Sequence, residues 1–475
     1  MKKRILITTP LISAWPVNNE PVLFLGEWCK VFPKKYLWND MDSEVLPYHW
    51  DNRSKLYKDY LALSELYEKI LIELAEKLNF IHGVDYTVRY WRILIGPWLL
   101  GFIPVIFDRW ANLEKATSSY NISKTFVINY SELESIPQDQ LHFEHLIKSD
   151  QWNHFIYSSI LKKTKWVEII NVQKDTIYKT PKNRYELVER FESKSLILKI
   201  ASRLTKIFSG DKSIFIIDSY LSKFNLLKLQ LKLLQFPSLH ISPAYEKFNP
   251  KISARKWKLP KSRDESDFDN FLRELIPLQI PAVYLEGYKS INQQSTKTYW
   301  PKNPKVIWSS NAFYTEEVFK FWSARKSESG TPLLLGQHGG VYGIGLFSIT
   351  VDHELKISDY FLSWGSTKWD SDNKYEKIIP IGIFKTFKKQ IEKKSVLLIS
   401  SDIARYSNIL VSLPIASQWL YSNENEFDFV SLLPDYILKD FIVRPYHHSL
   451  GWSQYDRWKE RFSKIKIDSG EEILE

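Results

Sequence analysis

Between residues 333 and 345 an apolar run opens into a loop in Leu-Leu-Leu-Gly-Gln-His-Gly-Gly-Val-Tyr-Gly-Ile-Gly, with one histidine at the loop's mouth. Glycine permits close backbone approach and positive φ, so His338 is expected at a strand tip beside unhindered N–H groups. That setting suits an anion or a sugar hydroxyl, with Gln337, Gly339 and Gly340 as neighbouring contacts. Near neutral pH an imidazole can take the proton of an acceptor hydroxyl or donate one to a leaving phosphate. No Gly-Lys-Ser/Thr follows and the GxGxxG spacing is absent, so neither a Walker loop nor a dinucleotide fingerprint is present. The competing reading is a hydrogen-bonded structural histidine.

Downstream, Asp352-His-Glu-Leu-Lys-Ile-Ser-Asp brings Glu354 and Asp359 within a loop's reach of the glycines, as bases or as groups that orient His338; capping and ion pairing are equal alternatives. A second strand-to-loop passage, Phe441-Ile-Val-Arg-Pro-Tyr-His-His, offers Arg444 for a forked contact to phosphate and His447 or His448 for the leaving group. Neighbours in a strand point apart, so the two histidines do not read as a zinc pair. Nearer the start, Glu27, His49, Asp51 and Arg53 lie in short aromatic contexts outside any clear helix, where ligands are commonly met. Asp51 could equally cap a helix beginning near Ser54.

These residues need a frame. Short aliphatic runs alternate with longer amphipathic ones, the pattern of βαβ units around parallel sheets. Buried strands are expected over residues 5–8, 126–129, 214–217, 283–286, 306–309, 333–336, 360–364 and 396–400, with 441–443 as a further one. A helix over 54–78 carries Leu56, Tyr60, Leu63, Tyr67, Ile70, Leu74 and Leu78 at steps of three or four, a core stripe. The apolar run from 92 to 108 is interrupted by Gly96, Pro97, Gly101 and Pro104, and reads as a packed helix with a turn. Residues 249–263 hold Lys251, Arg255, Lys256, Lys258, Lys261 and Arg263, an exposed basic loop or a contact for anionic lipid.

Of 475 residues, 44% are hydrophobic and 25% charged, which argues for a folded chain too long for one ordinary core. The lone Cys29 excludes an internal disulfide, as in a reducing cytoplasm. A net charge of +10 favours anionic partners without choosing among them, and the 18 Trp suit ring-lined clefts. Residues 1–383 read as an N-terminal Rossmann-like domain with helical insertions, 384–394 as a charged linker, and 395–475 as a partial C-terminal Rossmann-like domain. The last holds too few strands to be complete, so a longer protein is expected.

Phe-Leu-Gly-Glu-Trp-Cys, Tyr-His-Trp-Asp-Asn-Arg, Tyr90-Trp-Arg-Ile-Leu-Ile-Gly-Pro-Trp98 and Gln-His-Gly-Gly together resemble a bacterial family of O-antigen-cluster transferases, over nearly all the chain. Asn52 stands where that family more often has Asp. More locally, the Gln-His-Gly block is similar to teichoic-acid polymerases and capsule Kdo transferases, both of the GT-B fold. The resemblance implies a GT-B-like α/β protein whose two Rossmann-like domains face a cleft, with His338 on one side and the Arg444 segment on the other. It implies a metal-independent glycosyltransferase, in keeping with the lack of a convincing Asp-x-Asp motif; no cofactor is expected. The partners implied are a nucleotide-sugar donor and a glycan or lipid-linked glycan acceptor, with peripheral contact to the inner membrane and no nucleic acid. A polyol-phosphate transferase is the rival chemistry. A non-catalytic protein that binds a membrane surface or nucleic acid is the rival from another class, and it predicts basic residues gathered on one face.

Overall fold

The computed structural model describes residues 2–173, 211–238, 240, 242–261, 266–365, 377–382 and 395–468. Parallel strands are buried on both faces and therefore run apolar almost continuously, which is why the segments Arg-Ile-Leu-Ile, Ile-Phe-Ile-Ile and Leu-Leu-Leu-Gly all become strands. β1 (Arg4–Ile7), β2 (Val22–Phe24), β3 (Ser43–Val45), β4 (Ile122–Ile128) and β5 (Glu168–Val172) pair in parallel in the order β3-β2-β1-β4-β5. β6 (Ile214–Ile217), β7 (Val306–Ser309), β8 (Leu333–Gly336), β9 (Tyr360–Ser363) and β10 (Ile378–Pro380) form a second parallel sheet in plain succession. β11 (Val396–Ile399), β12 (Phe441–Arg444) and β13 (Lys466–Ile467) make a third. The molecule is thus a mixed α/β protein with parallel sheets, an architecture consistent with Rossmann-like units.

Residues 1–383, expected as one unit, carry two five-stranded sheets over one continuous hydrophobic core. The third sheet has a small core of its own, built from Phe427, Val430, Phe441, Val443 and Trp458. The proposed connector 384–394 lies outside the described residues.

The helices of eight or more residues, among those described, are α1 (Arg53–His82), α2 (Val88–Ser119), α3 (Asp150–Thr164), α4 (Lys223–Lys232), α5 (Asp267–Gln279), α6 (Tyr288–Thr296), α7 (Glu317–Glu328), α8 (Ile349–Ile357), α9 (Gln418–Ser431) and α10 (Gln454–Arg461). Asn52, not Asp51, caps α1, accepting the Lys55 N–H at 3.0 Å, and Gly83 ends it at φ +65°. Where a turn was expected in the 92–108 run, α2 is one helix of 32 residues that continues through Pro97 and Pro104. Each interior proline costs a hydrogen bond, but α2 is enclosed by α1, α3, α5, α7 and α8, and that burial outweighs the loss. Its most apolar stretch, with a mean hydropathy of 1.5, is long enough to cross a bilayer yet is 78% buried inside the protein.

Two further expectations are corrected. Residues 283–286 are not a strand: Ala282–Tyr284 form a short 3-10 turn. The basic loop is not uniformly solvated, because Arg255 is buried, with Nε and Nη2 on the Glu286 carboxylate at 2.9 and 2.7 Å and Nη1 on the Ile280 carbonyl at 2.7 Å. Lys261 pairs with Glu274, and Arg263 lies outside the described residues.

Candidate functional site

β8 ends at Gly336, where an added Cβ would fall 2.5 Å from Ser310 Oγ and 3.1 Å from Trp308 Nε1, so the tips of β7 and β8 close only over a glycine. Gln337 then locks the turn: its N–H donates to the Leu362 carbonyl at 2.8 Å, its Oε1 accepts the Trp364 N–H and its Nε2 donates to the Gly339 carbonyl, both at 2.9 Å. Gln337 is therefore a brace between the ends of β8 and β9. Gly339 and Gly340 meet no crowding and have no positive φ; in this loop that conformation falls to Gly343, at +72°.

His338 is presented at that tip with its side chain 20% exposed. Its Nε2 lies 2.9 Å from Glu354 Oε1 and 2.6 Å from Tyr342 Oη, and Tyr342 Oη donates to Glu354 Oε2 at 2.8 Å. Because the tyrosine spends its proton on the carboxylate, the arrangement is satisfied when Nε2 carries hydrogen and gives it to Glu354. Nδ1 then keeps a lone pair, and it has no hydrogen bond among the described residues. Glu354 comes from α8 and is almost fully buried; burial raises its carboxyl pKa against the opposing hydrogen bonds of His338 and Tyr342. Burial also raises the Tyr342 phenol, keeping it protonated. The Tyr220 ring, just after β6, lies parallel to the imidazole with centroids 6.1 Å apart. A carboxylate that holds one imidazole nitrogen and leaves the other free is an arrangement for moving a proton.

Asp359 does not join this group. Its Oδ2 accepts the Leu333 N–H at 2.8 Å and pairs with Arg89 at 2.7 Å, at the opposite end of β8, about 15 Å of strand from His338. His49 is sealed from solvent, with Nε2 2.9 Å from Asp108 Oδ1, and burial depresses its pKa. Arg53 is spent on the Leu413 and Ser412 carbonyls and the Gln418 amide oxygen. Asp51 is exposed beside Gln418, and Glu27 faces Lys30 at 3.4 Å. These four gather where the first sheet meets residues 402–421, not at His338. Arg444 points Nε to Asp468 at 2.7 Å. His447 and His448 are exposed, and their rings sit side by side with centroids 3.9 Å apart, because β12 has ended before them and strand alternation no longer applies. Among the described residues, the contacts of His338 reach none of these three.

Tyr342 and Tyr220 were not singled out in the sequence; Tyr342, four residues after His338 among glycines, was the findable one. In the first sheet the strand order reverses between β1 and β4, the usual ligand crevice of such a sheet. There His154 fills the space: its Nδ1 contacts Thr9 Oγ1 at 3.2 Å and its Nε2 accepts the Ile128 N–H at 2.9 Å. A surface pocket of about 390 Å³ opens nearby between β4, α3 and α5, lined by Tyr130, Ser158, Lys162 and Phe271 among others, and none of the candidate residues lines it.

A family model described as the LIC12162 family transferase matches residues 4–475. No curated protein and no solved structure matches the chain.

Proposed function

The chain belongs to the LIC12162 family of transferases, and from that premise we propose that it moves a sugar from a nucleotide-activated donor to a surface-polysaccharide acceptor. The observation that carries this reading is the joining of His338 to Glu354 and Tyr342 at the tip of β8, with Nδ1 left for a ligand. The acceptor hydroxyl oxygen attacks the anomeric carbon while the bond from that carbon to the nucleotide's phosphate oxygen breaks. The hydroxyl proton passes to Nδ1, and the bonding pair leaves on the phosphate. Glu354 stabilises the imidazolium that forms, and Tyr342 keeps the carboxylate oriented.

In this reading residues 1–383 and 395–475 are the two facing units of a GT-B-like fold. Arg444 binds Asp468 through Nε and Nη2, so Nη1 is its arm for a phosphate oxygen, with His447 and His448 beside it. A nucleotide-activated donor carries a cytoplasmic location with it. Thermal stabilisation by CMP-, CDP-, UDP-, GDP- and dTDP-sugars identifies the donor, and turnover of that donor is then compared with His338→Ala. A loss of about 10²- to 10⁴-fold without unfolding is expected; undiminished turnover overturns the assignment. Turnover of a CDP-polyol in place of any nucleotide sugar moves the reading to polyol-phosphate transfer.

A further inference from the structure

Three residues beyond Tyr220, whose ring faces His338, the chain enters α4, a helix with two apolar faces. Leu226 and Leu229 pack with Ile216, Trp308 and Leu362 on the second sheet. Phe224, Leu227 and Leu231 point elsewhere and are 70%, 41% and 56% exposed, and Leu234, just past the helix, is 95% exposed. At 3.6 residues per turn the three helical positions fall within an arc of about 60°. Lys223 borders that arc on one side and Lys228 on the other, with Lys232 beyond it, and all three are exposed. No Asp or Glu occurs between Asp218 and Glu246. Single exposed leucines are ordinary, but a continuous apolar stripe with charged borders marks a surface that is covered by something.

We propose that this stripe seats α4 on an anionic lipid surface, with Phe224, Leu227, Leu231 and Leu234 in the boundary between headgroups and acyl chains and the three lysines against lipid phosphates. A second copy of the chain is the poorer fit, since it would bring three more lysines and no acid to the same contact. The seat differs from the basic loop at 249–263, whose central arginine is buried in the fold. The docking does not depend on what His338 does.

The test is flotation of the full chain with vesicles of phosphatidylcholine alone or mixed with phosphatidylglycerol. Binding to the mixed vesicles is expected, weakening as salt is raised. Combining Lys223→Gln, Lys228→Gln and Lys232→Gln should weaken it roughly a hundredfold, at about fivefold per lysine. Leu227→Asp with Leu231→Asp should weaken it at least about tenfold. Both variants change exposed side chains, and circular dichroism and melting check that each remains folded. Wild-type protein that ignores anionic vesicles, or folded variants that bind them as well as wild type, overturns the proposal. So does gel filtration in which the aspartate variant dissolves a dimer while vesicle binding is absent.

Discussion

Glu354 divides its two oxygens between His338 Nε2 and Tyr342 Oη while held almost out of water. Its raised carboxyl pKa means that ionised Glu354 costs stability, a cost that appears as pH rises past the ordinary carboxylate range. Glu354→Gln should therefore leave the melting temperature at pH 8 unchanged or higher while slowing turnover about 10²-fold or more; a large loss of stability with turnover intact would show a structural glutamate. His154 gives a prediction of opposite pH sign. Burial lowers its pKa to about 4, so between there and about 6.5 the unfolded chain binds the extra proton. The stability it contributes is present above pH 6.5 and is lost on acidification, on the order of 2 kcal/mol by pH 5. Urea unfolding at pH 7 and pH 5 should show a smaller pH dependence for His154→Gln than for wild type, and an equal dependence refutes the assignment. At this scale the sequence put Glu354 within a loop's reach of His338, as a base, an orienting group or an ordinary cap or ion pair, and only the folded structure joins the two side chains. It could not disclose that Asp359 leaves the group, since a few residues of extended strand carry a side chain to the other end of the sheet.

Helix α2 shows where sequence reading fails at the scale of elements. Pro97 and Pro104 argue locally for a break, yet 21 of its residues are buried, including Trp91 and Trp98, and no local rule contains that packing. Gly96 is explained in the same way: an added Cβ would stand 2.6 Å from His353 Cε1, within a fully buried contact between α2 and α8. Alanine is worth about 1 kcal/mol more than glycine inside a helix, whereas forcing atoms into a packed core costs about 1–3 kcal/mol. Gly96→Ala should therefore lower the urea midpoint, and in a His353→Ala background the same change should become neutral or stabilising. An equal loss in both backgrounds would place the strain elsewhere. The strands at 214–217, 306–309 and 333–336 were legible because each is a short aliphatic run closed by polar or small residues. β2 and β3 escaped because three residues are too few to show a period, and β5 because it is a partly exposed edge strand. The turn at 282–284 was misread because a buried aliphatic run looks the same whether it is extended or coiled.

The whole molecule depends on how its three sheets are joined, and much of the joining falls to residues 402–418. Arg405 lies deep in that segment, with Nη1 on the Trp28 carbonyl at 2.6 Å and Nη2 on Asp150 at 2.7 Å, which Tyr406 Oη also reaches at 2.8 Å. A few residues on, Val411 bridges Ser348, the Ser412 N–H donates to the Phe347 carbonyl, and Arg53 holds the Ser412 carbonyl. The segment thus ties the first sheet, the loop after His338 and the third sheet together. Composition hides this, because Arg405 is one cation among 65 and nothing local marks it as buried. Arg405→Ala would leave the buried Trp28 carbonyl without its partner and the Asp150 carboxylate without its cation; Asp150 keeps the Tyr406 hydroxyl and remains about a quarter exposed, so water compensates in part and about 2–3 kcal/mol is expected. The distribution of that loss is the sharper test. The five buried residues of the third sheet's core are too few to sustain it alone, whereas the first two sheets share a large one. Hydrogen exchange in Arg405→Ala should therefore accelerate in β11 and β12 and across 402–418 while β1 and β4 keep their protection. Uniform acceleration over all three sheets would mean that Arg405 stabilises the molecule as a whole, and unchanged exchange in β12 would mean that the third sheet is held by something else.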